Sequence, residues 1–469
     1  MTPWLAVGLP WTNGACGDTM RQNPPSMPLA SGAGVSALPR ATGPGAITTR
    51  TLESAEEIEA LRWEWQALGG ASLTTDIDYV LTVGGFHPEV LRPHVVVVER
   101  DGSPVTIVAG HLQRGWIPHG LGPWIGYRPT LRSVNVSYRG LIGEQSRETV
   151  EASIAELRRA LDERVAELIQ LRYLEPGGLM HERARATATL GRRQHLVPLR
   201  SHWSMSIGGS LEETLSHRSA STREGLRRLR RRIERAWSGA LELEVLSEPA
   251  CAERLFATVD EVASRSYQLH GRTLFARSEL ERELALLGLR RGWYRAYILR
   301  LGGRPAAFWT GYSYGGWFGW RGATGYDPAF HSHSPGTYTL FRLIEALSDD
   351  PAVTQFDLGG GDTDYKPRFA DRRWQEIDVR LLGPGMRLLG INAVGTTFHA
   401  VHHGLRGVGA AFGIHTAPTR LLRRRLKAIA RESERRAARR HGLETSQTWP
   451  VQHVGEVERG EPPGHLDPR

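Results

Sequence analysis

Cysteine and lysine are both nearly absent from this chain of 469 residues. Two cysteines, Cys16 and Cys251, cannot staple a secreted disulfide scaffold, and they point to a reducing compartment. Of 59 basic residues only Lys366 and Lys427 are lysines. Beside 53 glycines and 27 prolines, that imbalance reads as the coding bias of a GC-rich genome rather than selection for a phosphate-binding surface. No stretch reaches the ~20 consecutive apolar residues that a membrane-spanning helix requires. The N-terminus has no basic segment followed by an apolar core, so no secretory signal is read there and a cytoplasmic protein is expected. What remains is ordinary globular composition, 40% hydrophobic and 23% charged. The net charge of +9 is concentrated in residues 218–235 and 420–440, so basicity does not by itself specify a nucleic-acid partner.

Composition and pattern divide the chain into six segments. Residues 1–46 and 442–469 are rich in Pro, Gly, Ser or charge without period and are expected to be disordered. Residues 47–200 and 240–385 alternate strand-like and helix-like patterns, which argues for layered α/β domains. Between them residues 201–239 read as a basic helical linker, and 386–441 as a C-terminal helical extension.

The two folded segments repeat one another. Val95-Val96-Val97-Val98-Glu99-Arg100-Asp101-Gly102 is a strand entering a glycine turn, and Ala296-Tyr297-Ile298-Leu299-Arg300-Leu301-Gly302-Gly303 has the same shape. Each hairpin precedes another strand (137–142 and 317–323), an amphipathic helix (147–162 and 336–347) and a closing strand (166–173 and 354–358). Hairpin, strand, helix and strand, twice over, predict a duplication.

Chemistry concentrates in the second copy. Ser334-Pro335-Gly336-Thr337-Tyr338 opens its helix, with Ser334 fitting an N-cap and Pro335 the first helical position. Free amides at such a start, with Gly336 permitting close approach, suit a pyrophosphate. The closing strand runs Phe356-Asp357-Leu358-Gly359-Gly360-Gly361-Asp362 and on to Tyr365-Lys366. A strand end that presents carboxylates, a tyrosine and a rare lysine is where open α/β sheets place ligands.

These residues resemble the GNAT acyltransferase superfamily, and within it the CelD-like or FemAB-like branch: an aromatic strand, a Pro-Gly helix start, an FDFG-like strand end and a Tyr-Lys pair. The resemblance covers residues 211–382. The first copy lacks the Pro-Gly start and the Tyr-Lys pair, which fits a tandem with one largely structural half. It implies two tandem GNAT-like domains of α/β (α+β) class, each a mixed, mostly antiparallel sheet flanked by helices. It implies acyl transfer from acyl-CoA, acetyl-CoA above all, to an amine or hydroxyl, with a small-molecule or cell-envelope saccharide as acceptor. The backbone at Ala323 would hold the thioester carbonyl, and Ser334, Gly336, Thr337 and Tyr338 the pyrophosphate. Asp357 or Asp362 would serve as base and Tyr365 or Lys366 as acid. The Gln/Arg-x-x-Gly-x-Gly/Ala phosphate loop common among GNAT enzymes is missing. The alternatives are an aminoacyl-tRNA donor, which the arginine helix over 218–235 would suit, and a non-catalytic binding protein.

Weaker features complete the reading. His399, His402 and His403 lack a matching carboxylate or cysteine, so no metal is expected. The helix over 419–440 has Leu421, Leu422, Leu426 and Ile429 on one stripe among arginines, and is read as packed on the domain or resting on an anionic membrane.

Overall fold

A computed structural model of the chain describes residues 45–411, except 71, 117–118, 122–123, 196, 267–272 and 364. Apart from residues 45 and 46, the segments expected to be disordered lie outside the described residues, as does the basic helix over 419–440.

The first half runs β1 (Ile47–Leu52), α1 (Ala55–Ala60), α2 (Arg62–Leu68), α3 (Ile77–Phe86), β2 (Val90–Pro93), β3 (Val95–Arg100), β4 (Ser103–Trp116), β5 (His119–Leu121), β6 (Trp124–Tyr127), β7 (Thr130–Gly143), α4 (Arg147–Asp162), β8 (Leu168–Leu174) and α5 (Leu179–Ala186). Helix α4 begins where Ser146 accepts the Thr149 amide and buries Val150, Ile154, Leu157 and Leu161, a 3.6-residue stripe. Then come β9 (Arg200–Ser206), α6 (Leu211–Ser216) and α7 (Ala220–Ala236). The second half comprises β10 (Leu241–Leu246), α8 (Ala252–Arg265), α9 (Glu279–Arg290), β11 (Tyr294–Leu301), β12 (Arg304–Tyr314), β13 (Trp317–Tyr326), α10 (Pro335–Ser348), β14 (Gln355–Gly360), α11 (Lys366–Phe369), β15 (Arg372–Leu382) and α12 (Met386–Ala411).

Thirteen strands form one sheet, ordered β1-β3-β4-β7-β8-β15-β9-β14-β13-β12-β11-β10, with β2 alongside β4. All its pairings are antiparallel except β7–β8 and β13–β14, the two places where an amphipathic helix crosses over. The halves thus carry the same order: edge strand, hairpin, third strand, crossover helix and parallel fourth strand. One face of the second half packs α8 and α9 over Ala296, Ile298, Phe308, Tyr312 and Trp320. The other packs α10, α6 and α7 over Trp309, Phe318, Phe356, Trp203 and Met205.

Two segments depart from the expected boundaries. The stretch 201–239 is not only a helical linker: β9 lies inside it, at the middle of the sheet. Trp203 and Met205 point into the core below α10 while Ser204 and His202 take the opposite face, a period of two. β15, expected to close the second copy alone, pairs with β8 of the first half as well as with β9. The sixth place in each half-sheet is therefore filled by a strand that follows the other half in sequence.

Candidate active site

Strands β13 and β14 are in register only at Trp317–Gln355 and Phe318–Phe356. Beyond that point β13 bulges, its pairing with β12 shifting between Thr310 and Tyr312. Gly319 takes φ of 110° with its Cα hydrogen turned on the neighbouring strand; a Cβ there would lie 2.4 Å from the Asp357 carbonyl oxygen. Arg321 adopts φ of 47° and sends its guanidinium to the Tyr79 hydroxyl at 3.0 Å and to Glu281, tying the bulge to α3 and α9. The result is a pair of parallel strands that touch at their starts and open toward their carboxyl ends, with α10 rising beside the opening.

The start of α10 differs in one respect from its sequence reading. Pro335 occupies the first helical position, but Ser334 sits in the left-handed region at φ of 52° and its hydroxyl caps no amide. Its Oγ instead faces Arg232 of α7 at 3.4 Å. The first turn carries no acidic residue, and Gly336 leaves room: a Cβ there would meet only Tyr326 Cδ1, at 3.5 Å. Thr337 follows in that turn, but the Tyr338 amide is not free for a phosphate: it closes the first helical bond, to the Ser334 carbonyl at 3.1 Å.

Asp357 lies at the opening, buried, and its Oδ1 receives two hydrogen bonds, from the Gly359 amide at 2.7 Å and from His202 Nε2 at 2.7 Å. The other ring nitrogen of His202 meets Glu376 Oε1 at 3.1 Å, and its imidazole stacks on Trp374 with centroids 4.5 Å apart. Trp374 Nε1 donates to the same Glu376 oxygen at 3.0 Å. Burial opposes a charge on His202, but the carboxylates of Asp357 and Glu376 outweigh it and raise its pKa to about 10. Burial likewise opposes ionisation of Asp357, and His202 overrides it, holding the carboxyl below its ordinary range. His202 was not anticipated from sequence, because it is 155 positions from Asp357 and sits in the supposed linker.

Lys366 is fully buried, and Nζ donates to the carbonyls of Gly359, Gly360 and Gly361 at 3.0, 2.7 and 3.2 Å. Burial lowers its pKa to about 8, against the pull of Asp357 and Asp362. With three carbonyls on three donor positions, it fastens the glycine turn and is not placed to give a proton to a departing group. Tyr365 is half-buried; burial, then the Asp357 charge, pushes its pKa up, so it keeps its proton. Asp362 does not join Asp357. Its carboxylate accepts from Ser201 Oγ at 3.3 Å and Trp203 Nε1 at 3.2 Å, on the α10 side of the sheet, and its side chain is 65% exposed. Ala323 does not offer a free amide either, since its N–H donates to Thr310 Oγ1 at 3.2 Å. Histidines 399, 402 and 403 all fall on α12, and among the described residues no group of three His, Cys, Asp or Glu is placed to hold a metal ion.

Residues 220–367 match the family described as acetyltransferase (GNAT) domain. This segment is similar to GNAT domains. It starts at α7 and ends at Lys366, so it takes in the opening between β13 and β14 and the start of α10. Similar solved structures include a conserved protein of unknown function from Bacteroides thetaiotaomicron, 10% identical over 72% of this chain and 100% of that one, with a TM-score of 0.45. A tandem GNAT protein from the clavulanic acid biosynthesis pathway is 14% identical over 72% and 100%, with a TM-score of 0.42. The C-terminal domain of a putative lysylphosphatidylglycerol synthetase from Agrobacterium fabrum is 13% identical over 73% and 96%, also at 0.42. No curated protein matches the chain. Among the described residues, no helix is long and apolar enough to cross a membrane.

Proposed function

We propose that the second half of the chain transfers an acyl group, acetyl in the simplest case, from acyl-CoA to an amine or hydroxyl of a small-molecule or saccharide acceptor. The observation that carries this reading is the opening of β13 from β14 beside an uncapped, acid-free helix start, inside the segment that matches a GNAT domain. Parallel strands that part in this way expose main-chain polar groups to a ligand lying between them. The amides of Gly336 and Thr337, with Arg232 alongside, suit a pyrophosphate. Trp317 and Trp374, half-buried on the α9 side with ring centroids 6.4 Å apart, offer apolar surface against which a sugar ring can pack, with Trp320 in the core beneath them.

In the reaction the acceptor nitrogen or oxygen bonds to the thioester carbonyl carbon and the carbon–sulfur bond breaks. Asp357 takes the acceptor's proton on Oδ2, the oxygen not engaged by His202 and Gly359. The histidinium keeps that carboxylate ionised before attack. Tyr365, still protonated, supplies a proton to the departing thiolate. An acyl-CoA donor is preferred to aminoacyl-tRNA because the opening lies inside the segment that matches an acetyltransferase domain, not because of the charge of α7, where Arg227 and Arg231 share Glu224 and Arg230 pairs with Glu234 and Glu345 while the helix stays basic.

Titration of acetyl-CoA into the full chain and into Gly336→Asp tests the reading. The new side chain has room and suits a helix N-terminus, so the variant should fold as stably as the parent while its carboxylate repels the pyrophosphate. Binding to the parent that falls at least tenfold in the variant is expected; equal affinity would remove the phosphate site from the start of α10.

A further inference from the structure

The polar stripe on the α9 side of the sheet does not end at His202. Two residues back along β9, roughly 7 Å away at strand spacing, Arg200 lies on the same face, opposite Glu376. Its guanidinium bonds Asp378 Oδ2 at 3.0 Å and lies over the Tyr173 ring, 5.5 Å from the centroid. Arg172 approaches the same ring at 4.9 Å and donates to its hydroxyl at 3.0 Å. Arg380 is the third guanidinium here. It reaches Gln194 Oε1 at 3.0 Å, but its Nε is buried without a partner, and burial together with Arg172 and Arg200 lowers its pKa against the pull of Asp378.

Of the three guanidiniums, Arg200 bonds Asp378, Arg380 feels its charge, and Arg172 has no acidic partner among the described residues. Along this stripe Arg172, Arg200, Arg380 and the His202 cation face Asp357, Glu376 and Asp378, and an excess of positive charge in a half-buried place is costly unless an anion is supplied. Backbone strain marks the same spot. Tyr173 holds φ of 58°, a left-handed conformation that a tyrosine rarely adopts, and is kept there by its amide bonding Asp378 Oδ1 at 3.1 Å. The two arginines that flank its ring are half-buried and open to solvent, with planar forks suited to an oxyanion.

We propose that Arg172 and Arg200, across the Tyr173 ring, bind an anionic group of the acceptor, a carboxylate or a phosphate, and so orient its amine or hydroxyl toward Asp357. This rests on the acyl-transfer reading for the word acceptor; the anion pocket itself does not. It restricts the substrate to acceptors that carry an anionic group about one short spacer from the nucleophile.

The test uses the full chain with succinate and with inorganic phosphate as probes, titrated at constant ionic strength against chloride, with thermal stability followed in parallel. The parent should bind at least one probe, and the probe that binds distinguishes a carboxylate from a phosphate pocket. Arg172→Gln should weaken that binding tenfold or more, whereas Arg228→Gln, an exposed arginine of α7, should leave it unchanged. If Arg172→Gln does not fold, Arg172→Lys keeps the charge, loses the fork, and should weaken binding to a smaller degree. No binding of either probe by the parent, or equal responses of the variants at 172 and 228, would overturn the pocket. Acetyl-CoA is titrated in the same samples. Its failure to bind the parent would overturn the donor reading and leave the pocket standing, and its loss in Arg172→Gln alone would reassign the pocket to the donor.

Discussion

Replacing His202 by Gln tests the charge state on which the centre depends. A histidine that titrates at about 10 when folded and at about 6.5 when unfolded binds its proton more tightly in the native protein. Its contribution to stability is complete below pH 6.5 and is lost as pH rises toward 10. Above pH 6.5 the unfolded chain releases this proton while the folded chain keeps it, so each pH unit removes about 1.4 kcal/mol. Between pH 6.5 and 8 the loss comes to about 1.6 kcal/mol. Other shifted groups pull the other way across the same window. His94 and His111, held neutral by burial at about 4, add stability as pH rises, still roughly 0.4 kcal/mol each above pH 6.5 while the unfolded chain gives up its last protons, and burial gives His87 and His181 the same sign. Lys366, lowered to about 8, also adds stability with rising pH, from about a unit below that value up to about 10.5.

Urea unfolding followed by tryptophan fluorescence at pH 6.5, 7, 7.5 and 8 measures the slope. The opposing groups are common to the parent and His202→Gln, so the difference between the two carries the His202 signal. His202→Gln should be less stable than the parent at pH 7 by on the order of 3–5 kcal/mol because Asp357 and Glu376 lose their cation, and this deficit should shrink by about 1.6 kcal/mol from pH 6.5 to 8. A deficit that stays constant or grows across that range would refute a histidinium shared by two carboxylates.

Further outcomes follow from the same contacts. Lys366→Met leaves the carbonyls of Gly359, Gly360 and Gly361 without their donor, so it should cost about 3 kcal/mol and lower the melting temperature well beyond the change expected of a surface ion pair, as calorimetry will show. Gly319→Ala places a methyl against the Asp357 carbonyl at a φ that disfavours any side chain; it should destabilise by about 2 kcal/mol or more and weaken acetyl-CoA binding, whereas an unchanged urea midpoint would mean the two strands lie further apart.

Local pattern was legible and distant pairing was not. The helix expected over 147–162 is found with those bounds, because cap, apolar stripe and terminus are all written within 16 residues. The two hairpins and their following strands were equally plain, since a strand and its neighbour across a tight turn share one stretch of sequence. β9 was obscured by the arginine-rich segment after it, although the alternation of His202 and Ser204 with Trp203 and Met205 was a readable strand signal. Ser334 reads as a cap from its place before Pro335, but its left-handed backbone turns the hydroxyl to Arg232, and φ cannot be read from a Ser-Pro pair. Lys366 stood out by rarity. Its role came from the three carbonyls around it, which no pattern encodes.

The exchange of strands explains why the centre itself could not be read from either copy. β9 follows the first half and pairs with β14 of the second; β15 follows the second half and pairs with β8 of the first, and the two strands meet along the seam. Asp357 comes from β14, His202 from β9 and Glu376 from β15. Neither half-sheet can be completed without the other, so the halves cannot lose their mutual contact without exposing the buried faces of both exchanged strands. The stretch that matches a GNAT domain, 220–367, begins after His202 and ends before Glu376. Taken alone it would leave Asp357 without its hydrogen-bonded cation and with only the weaker pull of Lys366. The exchange therefore does more than join two halves of like topology: the strands traded across the seam carry the charges that set the state of the carboxylate at the opening.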